Sequence, residues 1–242
     1  MQLNRSGDIS APLGRLILAV AMVLVPAMTS RGGMAAAAST PAPAGAPAAH
    51  AGLAGSAWDI ATWRRHIGRD LNPRVLSTAL DAARAAVERG DAINPATLTV
   101  IDFTRPSTQK RMWVFDLRSR RLLFDELVSH GRGSGQTMAT SFSNRPESRK
   151  SSLGLFRTGD AYFGHNGYSL RLDGLEPGVN DRARERAIVI HGAPYVNAAT
   201  ARANGYLGRS LGCPAVRPEI ARPLIDAVKG GGLLYAYSPG QP

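Results

Sequence analysis

The sequence predicts a mainly β protein of the α+β class, with a β-sandwich or a curled mixed sheet, few helices and a short helical segment before it. Two observations favour this fold. From residue 98 onward, short apolar runs recur between loops rich in Gly, Ser and Asn. Helical periodicity is concentrated before that point, in residues 58–92. The 242 residues are 44% hydrophobic, which suits one domain with additional segments.

The N-terminal residues are expected to precede the folded domain. Leu16–Met28 is an uncharged apolar run, short for a bilayer span and typical of the core of a secretory signal peptide. Residues 1–38 are therefore predicted to be a signal peptide of an exported protein. Arg31 lies between this run and the cleavage region, so an uncleaved membrane anchor is the alternative. Residues 39–57, rich in Ala, Pro and Gly, are typical of a linker.

Residues 58–96 are predicted to form a helical prefix, with a first short helix around Trp58–Ile67. For the longer helix, Asn72 is a good N-cap, Pro73 suits the first position and Gly90 can close the end. Apolar residues at helical spacing are expected to pack on the main domain: Val75, Leu76, Ala79, Leu80, Ala83 and Val87.

Residues 97–242 are predicted to form the β domain. Its strand candidates are 98–103, 111–117, 121–130, 153–158, 168–174, 187–192 and 233–238. The second and third are expected to form a hairpin around the polar turn RSRR. One late helix is expected within Glu219–Lys229, with Pro223 as a candidate first residue.

The chain has a large basic excess, with 29 Lys and Arg against 18 Asp and Glu and a formal net charge of +11. Such a charge suits nucleic acid, anionic lipid or an acidic cell-wall polymer. The cations are scattered singly, without zinc-finger spacing or an aromatic RNA-binding motif, so no nucleic-acid partner is expected. Solubility is the simpler explanation of the charge.

Cys213 is the single cysteine of the chain and the candidate nucleophile. It has no partner for an intramolecular disulfide, although the protein is expected in an oxidising compartment. Gly212 and Pro214 predict a turn, which can project the thiol and leave nearby N–H groups free for an oxyanion. A buried, inert thiol is the structural alternative.

A nucleophilic thiol needs a base, and the β domain contains three histidines. His191 ends the apolar run AIVI and precedes Gly192, so a strand end would hold its ring rigidly. His130 has a similar position in ELVSHGRGSG, and His165 is expected in a loop. Zinc ligation by these histidines and Cys213 is an alternative, but no pair has close ligand spacing, so neither a metal nor another cofactor is expected.

Three blocks in this order resemble the L,D-transpeptidase catalytic domain family, also called YkuD-like: SSLGLF at 151–156, IHG at 190–192 and GRSLGC at 208–213. The wider blocks DFTRPSTQKRMWVFDL, FSNRPESRKSSLG and GYSLRLDGLEPGVNDRARERAIVIHG are similar to its second, murein L,D-transpeptidase branch. The resemblance covers roughly residues 97–238 and implies the fold of that family.

The resemblance also implies a cysteine-dependent L,D-transpeptidase that acts on peptidoglycan stem peptides. Cys213 would attack the carbonyl that precedes the terminal D-amino acid, with His191 as base, and form a thioester acyl-enzyme. An amine acceptor would then give a 3–3 cross-link or another attachment, and carbapenems would inhibit the enzyme. The resemblance also implies that the exported protein lies in the periplasm or is associated with the cell wall. An L,D-carboxypeptidase or endopeptidase with the same site and a non-catalytic cell-wall-binding module are the alternatives.

Residues near Cys213 and His191 are also expected to take part in the site. The N–H groups near Leu211 and Gly212 would stabilise the oxyanion, and the Gly192 carbonyl would orient the His191 ring. Ser210 either bonds His191 or substrate, or stabilises its own turn. The candidate substrate-binding residues are His130, Tyr168, Arg171 and Arg217, with a structural imidazole as the alternative for His130.

Three positions depart from the family pattern. The usual His two positions before the nucleophile is Leu211, and the Thr-Pro of the first block is Ser151-Ser152. The Arg that usually follows the nucleophile closely is displaced to Arg217. These departures concern recognition of the substrate carboxylate rather than acylation.

Overall fold

The computed structural model describes residues 55–63, 67 and 70–240. The predicted signal peptide and most of the predicted linker lie outside the described residues, and the division of the chain into these segments stays a prediction. None of the helices in the described part is long and apolar enough to cross a membrane.

The predicted prefix forms a 3-10 turn at Gly55–Trp58 and two helices, α1 (Ile60–Trp63) and α2 (Pro73–Glu88). Asn72 caps α2, because its side chain accepts a hydrogen bond of 2.9 Å from the N–H of Arg74. The buried face of α2 packs on the sheet as expected from its periodicity. Its buried members are Val75, Leu76, Ala79, Leu80, Ala83 and Ala86.

Eight strands form one mixed sheet in the order β3-β2-β1-β8-β4-β5-β6-β7. The strands are β1 (Thr97–Asp102), β2 (Met112–Asp116), β3 (Leu122–Glu126), β4 (Gly154–Gly164), β5 (Gly167–Gly174), β6 (Val189–Gly192), β7 (Ala215–Val216) and β8 (Leu233–Tyr237). The pairs β1–β8 and β6–β7 are parallel, and the other neighbours are antiparallel. This barrel-like sheet with few helices confirms the predicted fold class.

Two apolar cores lie on the two faces of the central strands. Trp113 and Phe115 of β2 contact the core that contains α2, whereas Met112 and Val114 contact the other. The second core is covered by helix α4 (Pro218–Val228) through Leu224 and other residues. Strands buried on both faces lack polar alternation, which is why they appear as continuous apolar runs in the sequence.

Some boundaries differ from the prediction. The late helix α4 begins at Pro218, so Pro223 lies inside it rather than at its start. Helix α3 (Ala198–Asn204) and strand β7 were not predicted. Strand β3 ends at Glu126, four residues early, because the next residues bond to a different segment: the N–H of Ser129 donates to the carbonyl of Ala215 at 2.8 Å.

Candidate active site

The thiol of Cys213 lies beside the start of strand β6. The parallel β6–β7 pairing places His191 opposite Ala215, two residues after the cysteine. The half-buried thiol donates to the carbonyl of Ala187, with Sγ and O 3.6 Å apart. Ala187 has φ 52°, a left-handed conformation that costs a non-glycine residue about 1–2 kcal/mol. The backbone before β6 therefore adopts an unfavourable conformation where it holds the thiol.

The ring of His191 is buried at 5% exposure and held by its own strand. Its Nδ1 lies 3.0 Å from the carbonyl oxygen of Gly192, the contact expected from the sequence. A carbonyl only accepts, so Nδ1 carries the proton and Nε2 is left as the basic nitrogen. Burial lowers the pKa of His191, and the Gly192 carbonyl opposes that decrease. The ring is therefore suited to accept a proton at neutral pH.

Cys213 and His191 line one cleft of about 800 Å³. Burial raises the pKa of the Cys213 thiol, while the N–H of Val189 and the guanidinium of Arg186 oppose that rise. Both shifts favour the uncharged forms, so the resting pair is a thiol and a neutral imidazole. This arrangement is suited to general-base activation of the thiol rather than to a preformed ion pair.

Ser210 stabilises the turn that carries the nucleophile, which is one of its two predicted roles. Its hydroxyl donates to the carbonyl of Cys213 at 2.6 Å and accepts from the N–H of Gly212 at 3.1 Å. The N–H of Gly212 is thus engaged within the turn, and its expected role as an oxyanion donor stays a prediction. In the part of the chain that the structure describes, the N–H groups of Leu211 and Cys213 have no oxygen acceptor.

Glycine is required at two positions of this segment. Gly212 has φ 135°, and a Cβ there would lie 2.9 Å from the carbonyl oxygen of Lys150. At Gly208, a Cβ would lie 2.4 Å from the Cβ of Tyr195. The glycines of GRSLGC therefore permit close packing of the nucleophile loop against its neighbours.

Ser151 connects the nucleophile loop to the loop that follows β3. Its buried hydroxyl accepts from the N–H of Gly131 and donates to the carbonyl of Gly212, both at 3.0 Å. A second serine, Ser134, accepts from the N–H of Ser151 at 2.8 Å. Ser151 stands where the family block usually has Thr. Its hydroxyl therefore joins the two loops through hydrogen bonds, a structural role at the site.

Replacing Ser151 by alanine is expected to lower the free energy of unfolding by about 1–3 kcal/mol, because it leaves a buried donor and a buried acceptor without partners. The S151T variant keeps the hydroxyl and is the matched control. Thermal and denaturant unfolding measure both. Equal stability of S151A and the unsubstituted protein would contradict the claim that the Ser151 hydroxyl stabilises the fold by joining the two loops.

Several residues that the sequence analysis did not assign also line the cleft. They include two cationic side chains, Arg186 and Arg209, and the ring of Tyr195. The turn between β4 and β5, His165–Asn166, forms another part of the wall. Leu211 is 62% exposed and also lines the cleft.

Arg186 fastens the segment 143–152 to the site. Its guanidinium donates to the carbonyls of Ser143 at 2.7 Å and Lys150 at 2.6 Å, and to the hydroxyls of Ser148 and Ser152. The one signal in the sequence is its place directly before the predicted strand 187–192, which contains His191. Arginine also occurs at positions 182 and 184, so the spacing of residues does not distinguish Arg186 from its neighbours.

Arg186 is also expected to promote ionisation of the nucleophile. Replacing it by glutamine removes the cation that opposes the raised pKa of Cys213, so that pKa should rise further. The pH dependence of iodoacetamide alkylation measures the change. The R186K variant, which retains the charge, should stay close to the unsubstituted protein, and identical profiles for R186Q and R186K would contradict the electrostatic role.

His130 does not reach the cleft. It is fully buried, its Nδ1 accepts from Arg111 at 2.7 Å, and its Nε2 donates to the carbonyl of Gly135 at 3.3 Å. Burial and the Arg111 charge lower the pKa of His130 to about 4. Its carbonyl accepts from the N–H of Ser210 at 3.0 Å. The structural interpretation therefore applies: this imidazole stays neutral and supports the nucleophile turn.

The other three candidate substrate-binding residues also lie outside the lining of the cleft. Arg217 forms a bidentate ion pair with Glu126, with contacts of 2.8 and 3.0 Å. The guanidinium of Arg171 stacks 4.1 Å from the ring centre of Tyr162. Tyr168 lies on the outer side of the β4–β5 hairpin beside α4. The cations in the cleft are instead Arg186 and Arg209.

A second cleft, of about 1120 Å³, adjoins the first and shares Arg186 and Leu211 with it. Charged groups of both signs line its remaining wall, among them Glu147, Arg149 and Glu185. Within residues 55–63, 67 and 70–240, no three His, Cys, Asp or Glu side chains come together in a group that could hold a metal ion.

Comparison with solved structures gives distant matches. L,D-transpeptidase LdtMt1 in complex with imipenem is 17% identical, with a TM-score of 0.36 and 59% of each chain covered. L,D-transpeptidase 1 from Mycobacterium tuberculosis is 15% identical, with a TM-score of 0.34 and coverage of 59% of this chain and 62% of that one.

The helical cell shape determining protein Pgp2 from Campylobacter jejuni is 13% identical, with a TM-score of 0.41. The alignment covers 66% of this chain and 55% of Pgp2. The chain thus spans less than two thirds of each of these three structures. No curated protein matches it.

The sequence model of a protein family gives a match over most of the chain. Residues 68–237 match YkuD_2, described as the L,D-transpeptidase catalytic domain. The match begins inside the predicted helical prefix, so helix α2 is part of the matched region. This match over more than half of the chain shows that the chain belongs to the L,D-transpeptidase catalytic domain family.

Proposed function

We propose that this family member is a cysteine-dependent L,D-transpeptidase of peptidoglycan stem peptides. The observation that carries the proposal is the shared cleft of Cys213 and His191, in which the Gly192 carbonyl leaves Nε2 of His191 as the basic nitrogen. Acyl transfer requires at least a nucleophile and a base, and a thiol and a neutral imidazole of fixed tautomer in one cleft supply both.

In the first step, the sulfur of Cys213 attacks the carbonyl carbon that precedes the terminal D-amino acid, while its proton passes to Nε2 of His191. We assign stabilisation of the oxyanion to the N–H groups of Leu211 and Cys213, and the absence of an oxygen acceptor for them within the turn supports this assignment. When the C–N bond breaks, His191 returns the proton to the leaving amine, and a thioester remains on Cys213.

In the second step, an acceptor amine attacks the thioester, His191 removes its proton, and the thiol is released. The second cleft favours transfer over hydrolysis, because it gives an acceptor its own binding surface next to Arg186 and Leu211. Water would need no such surface. The cations Arg186 and Arg209 in the first cleft suit a donor stem that carries carboxylates.

The proposal includes export, because peptidoglycan lies outside the cytoplasm and Leu16–Met28 is typical of a secretory signal. It also includes reaction with carbapenems, since a β-lactam carbonyl offers the same electrophile to a thiol.

The test uses the full-length protein with imipenem, followed by intact mass measurement, and then with muropeptides that carry tetrapeptide stems. An imipenem adduct on Cys213 and new stem-to-stem products support the proposal. Shortened stems without cross-links would identify the hydrolytic alternative instead. Wall binding without adduct or product would overturn the enzymatic proposal in favour of a binding module.

A further inference from the structure

Two neighbouring aromatic rings, one exposed and one partly buried, lie on the hairpin formed by β4 and β5. Phe163 and Tyr168 are direct partners in the strand register, and their ring centres are 5.2 Å apart. Phe163 is 73% exposed, which is unusual for a large apolar side chain next to another ring. Such an exposed ring presents a flat apolar surface to an incoming ligand.

Polar groups of helix α4 adjoin this pair. The guanidinium of Arg222 lies 4.5 Å from the ring centre of Tyr168 and 5.7 Å from that of Phe163. The hydroxyl of Tyr168 donates to Asp226 at 2.6 Å, and Lys229 donates to the same carboxylate at 2.7 Å. We call these five residues the hairpin face. It combines one exposed ring with a carboxylate, a guanidinium and an ammonium within reach of it.

This combination suits a sugar ring. A pyranose has one face of C–H groups, which packs on an aromatic ring, and a rim of hydroxyls, which bonds to planar charged groups. A lipid surface would favour several exposed apolar side chains with cations alone. The hairpin face instead has one exposed ring and the carboxylate of Asp226, so its chemistry favours a saccharide.

The hairpin also connects this face to the cleft of Cys213. Its turn, His165–Asn166, lines that cleft, only two residues from Phe163 and from Tyr168. The hairpin face and this part of the cleft wall therefore belong to one hairpin.

We propose that the hairpin face binds a sugar ring of the polysaccharide strand to which the stem peptide is attached. The proposal rests on the proposed function for the identity of that polymer. Phe163 is assigned the stacking contact, and Asp226 and Arg222 are assigned hydrogen bonds to the sugar hydroxyls. The net charge of the chain would hold an acidic wall at its surface, whereas the hairpin face would select the sugar.

The test is calorimetric titration of the full-length protein with a β-1,4-linked N-acetylglucosamine tetramer. We expect F163A to weaken binding by about tenfold or more and F163W to retain it. The matched control is L123A, which removes a 40% exposed leucine from β3, an edge strand that does not pair with the hairpin. It should bind like the unsubstituted protein. Because both positions are exposed, all three variants should keep their melting temperature.

Two further measurements separate the outcomes. Equal binding of the tetramer by F163A and the unsubstituted protein, or no binding by either, would overturn the saccharide site. Loss of binding to phosphatidylglycerol vesicles in F163A, with tetramer binding unchanged, would overturn it in favour of a lipid contact. Imipenem acylation should be equal in every variant. Failure of acylation alongside Phe163-dependent sugar binding would contradict the proposed function and leave the saccharide site supported.

Discussion

Replacing Cys213 by alanine is expected to abolish the imipenem adduct and to lower turnover of a tetrapeptide donor by on the order of 10⁶-fold. Loss of a nucleophile in a well-studied serine hydrolase has an effect of that size. The reason is direct: the C213A protein has no atom that can form the thioester. Intact mass measurement and product chromatography record the two effects separately.

The C213S variant is a control in which the side chain keeps nearly the size of cysteine. Its hydroxyl is a much weaker acid than a thiol, and His191 with its lowered pKa is a poor base for it. We therefore expect a correctly folded protein with no measurable turnover and with unchanged thermal stability. Turnover by C213A above one hundredth of the original rate would show that another group performs the chemistry.

Replacing His191 by alanine is expected to lower the rate of acylation by about 10²–10⁴-fold, the usual contribution of a positioned base. In the unsubstituted protein the rate should fall on the acid side, because a protonated imidazole cannot accept the thiol proton. Burial lowers the pKa of His191 from its ordinary value, so this decline should lie at lower pH than the titration of a free imidazole. The pH dependence of imipenem acylation measures it.

In H191A the reactive species is the thiolate alone. Burial raises the pKa of Cys213 from its ordinary value, so the residual rate should keep increasing as the pH becomes alkaline. The matched control is H165A, which removes the exposed imidazole of the hairpin turn in the same cleft. If the acylation rate of H191A still fell fully at acid pH, and that of H165A no longer did, His165 would be identified as the base.

Local signals in the sequence were enough for the fold class and for the nucleophile and base candidates. The apolar runs predicted the strands because the central strands are buried on both faces, as Trp113 and Val114 show. Cys213 and His191 stood out because an unpaired cysteine in a glycine-rich turn and a histidine at a strand end are both visible locally. Parallel pairing of β6 and β7 then brings them to one cleft.

Side-chain partners distant in the sequence explain where the prediction was wrong or silent. Arg217 pairs with Glu126, 91 positions away, and so does not line the cleft. His130 looked like a site residue in its motif, yet Arg111 and the core enclose it. No periodicity or spacing reports such contacts.

The sequence by itself thus determined the mainly β fold, the capped helix α2 and the two residues proposed for the chemistry, because strand, cap and turn preferences are local. The tertiary structure alone decided that Arg186 anchors the cleft wall, that Ser151 ties the loops and that the N–H of Gly212 is engaged. It also decided that burial shifts the pKa values of Cys213 and His191 toward the uncharged forms. Charge state depends on burial and on neighbours that only the folded chain assembles.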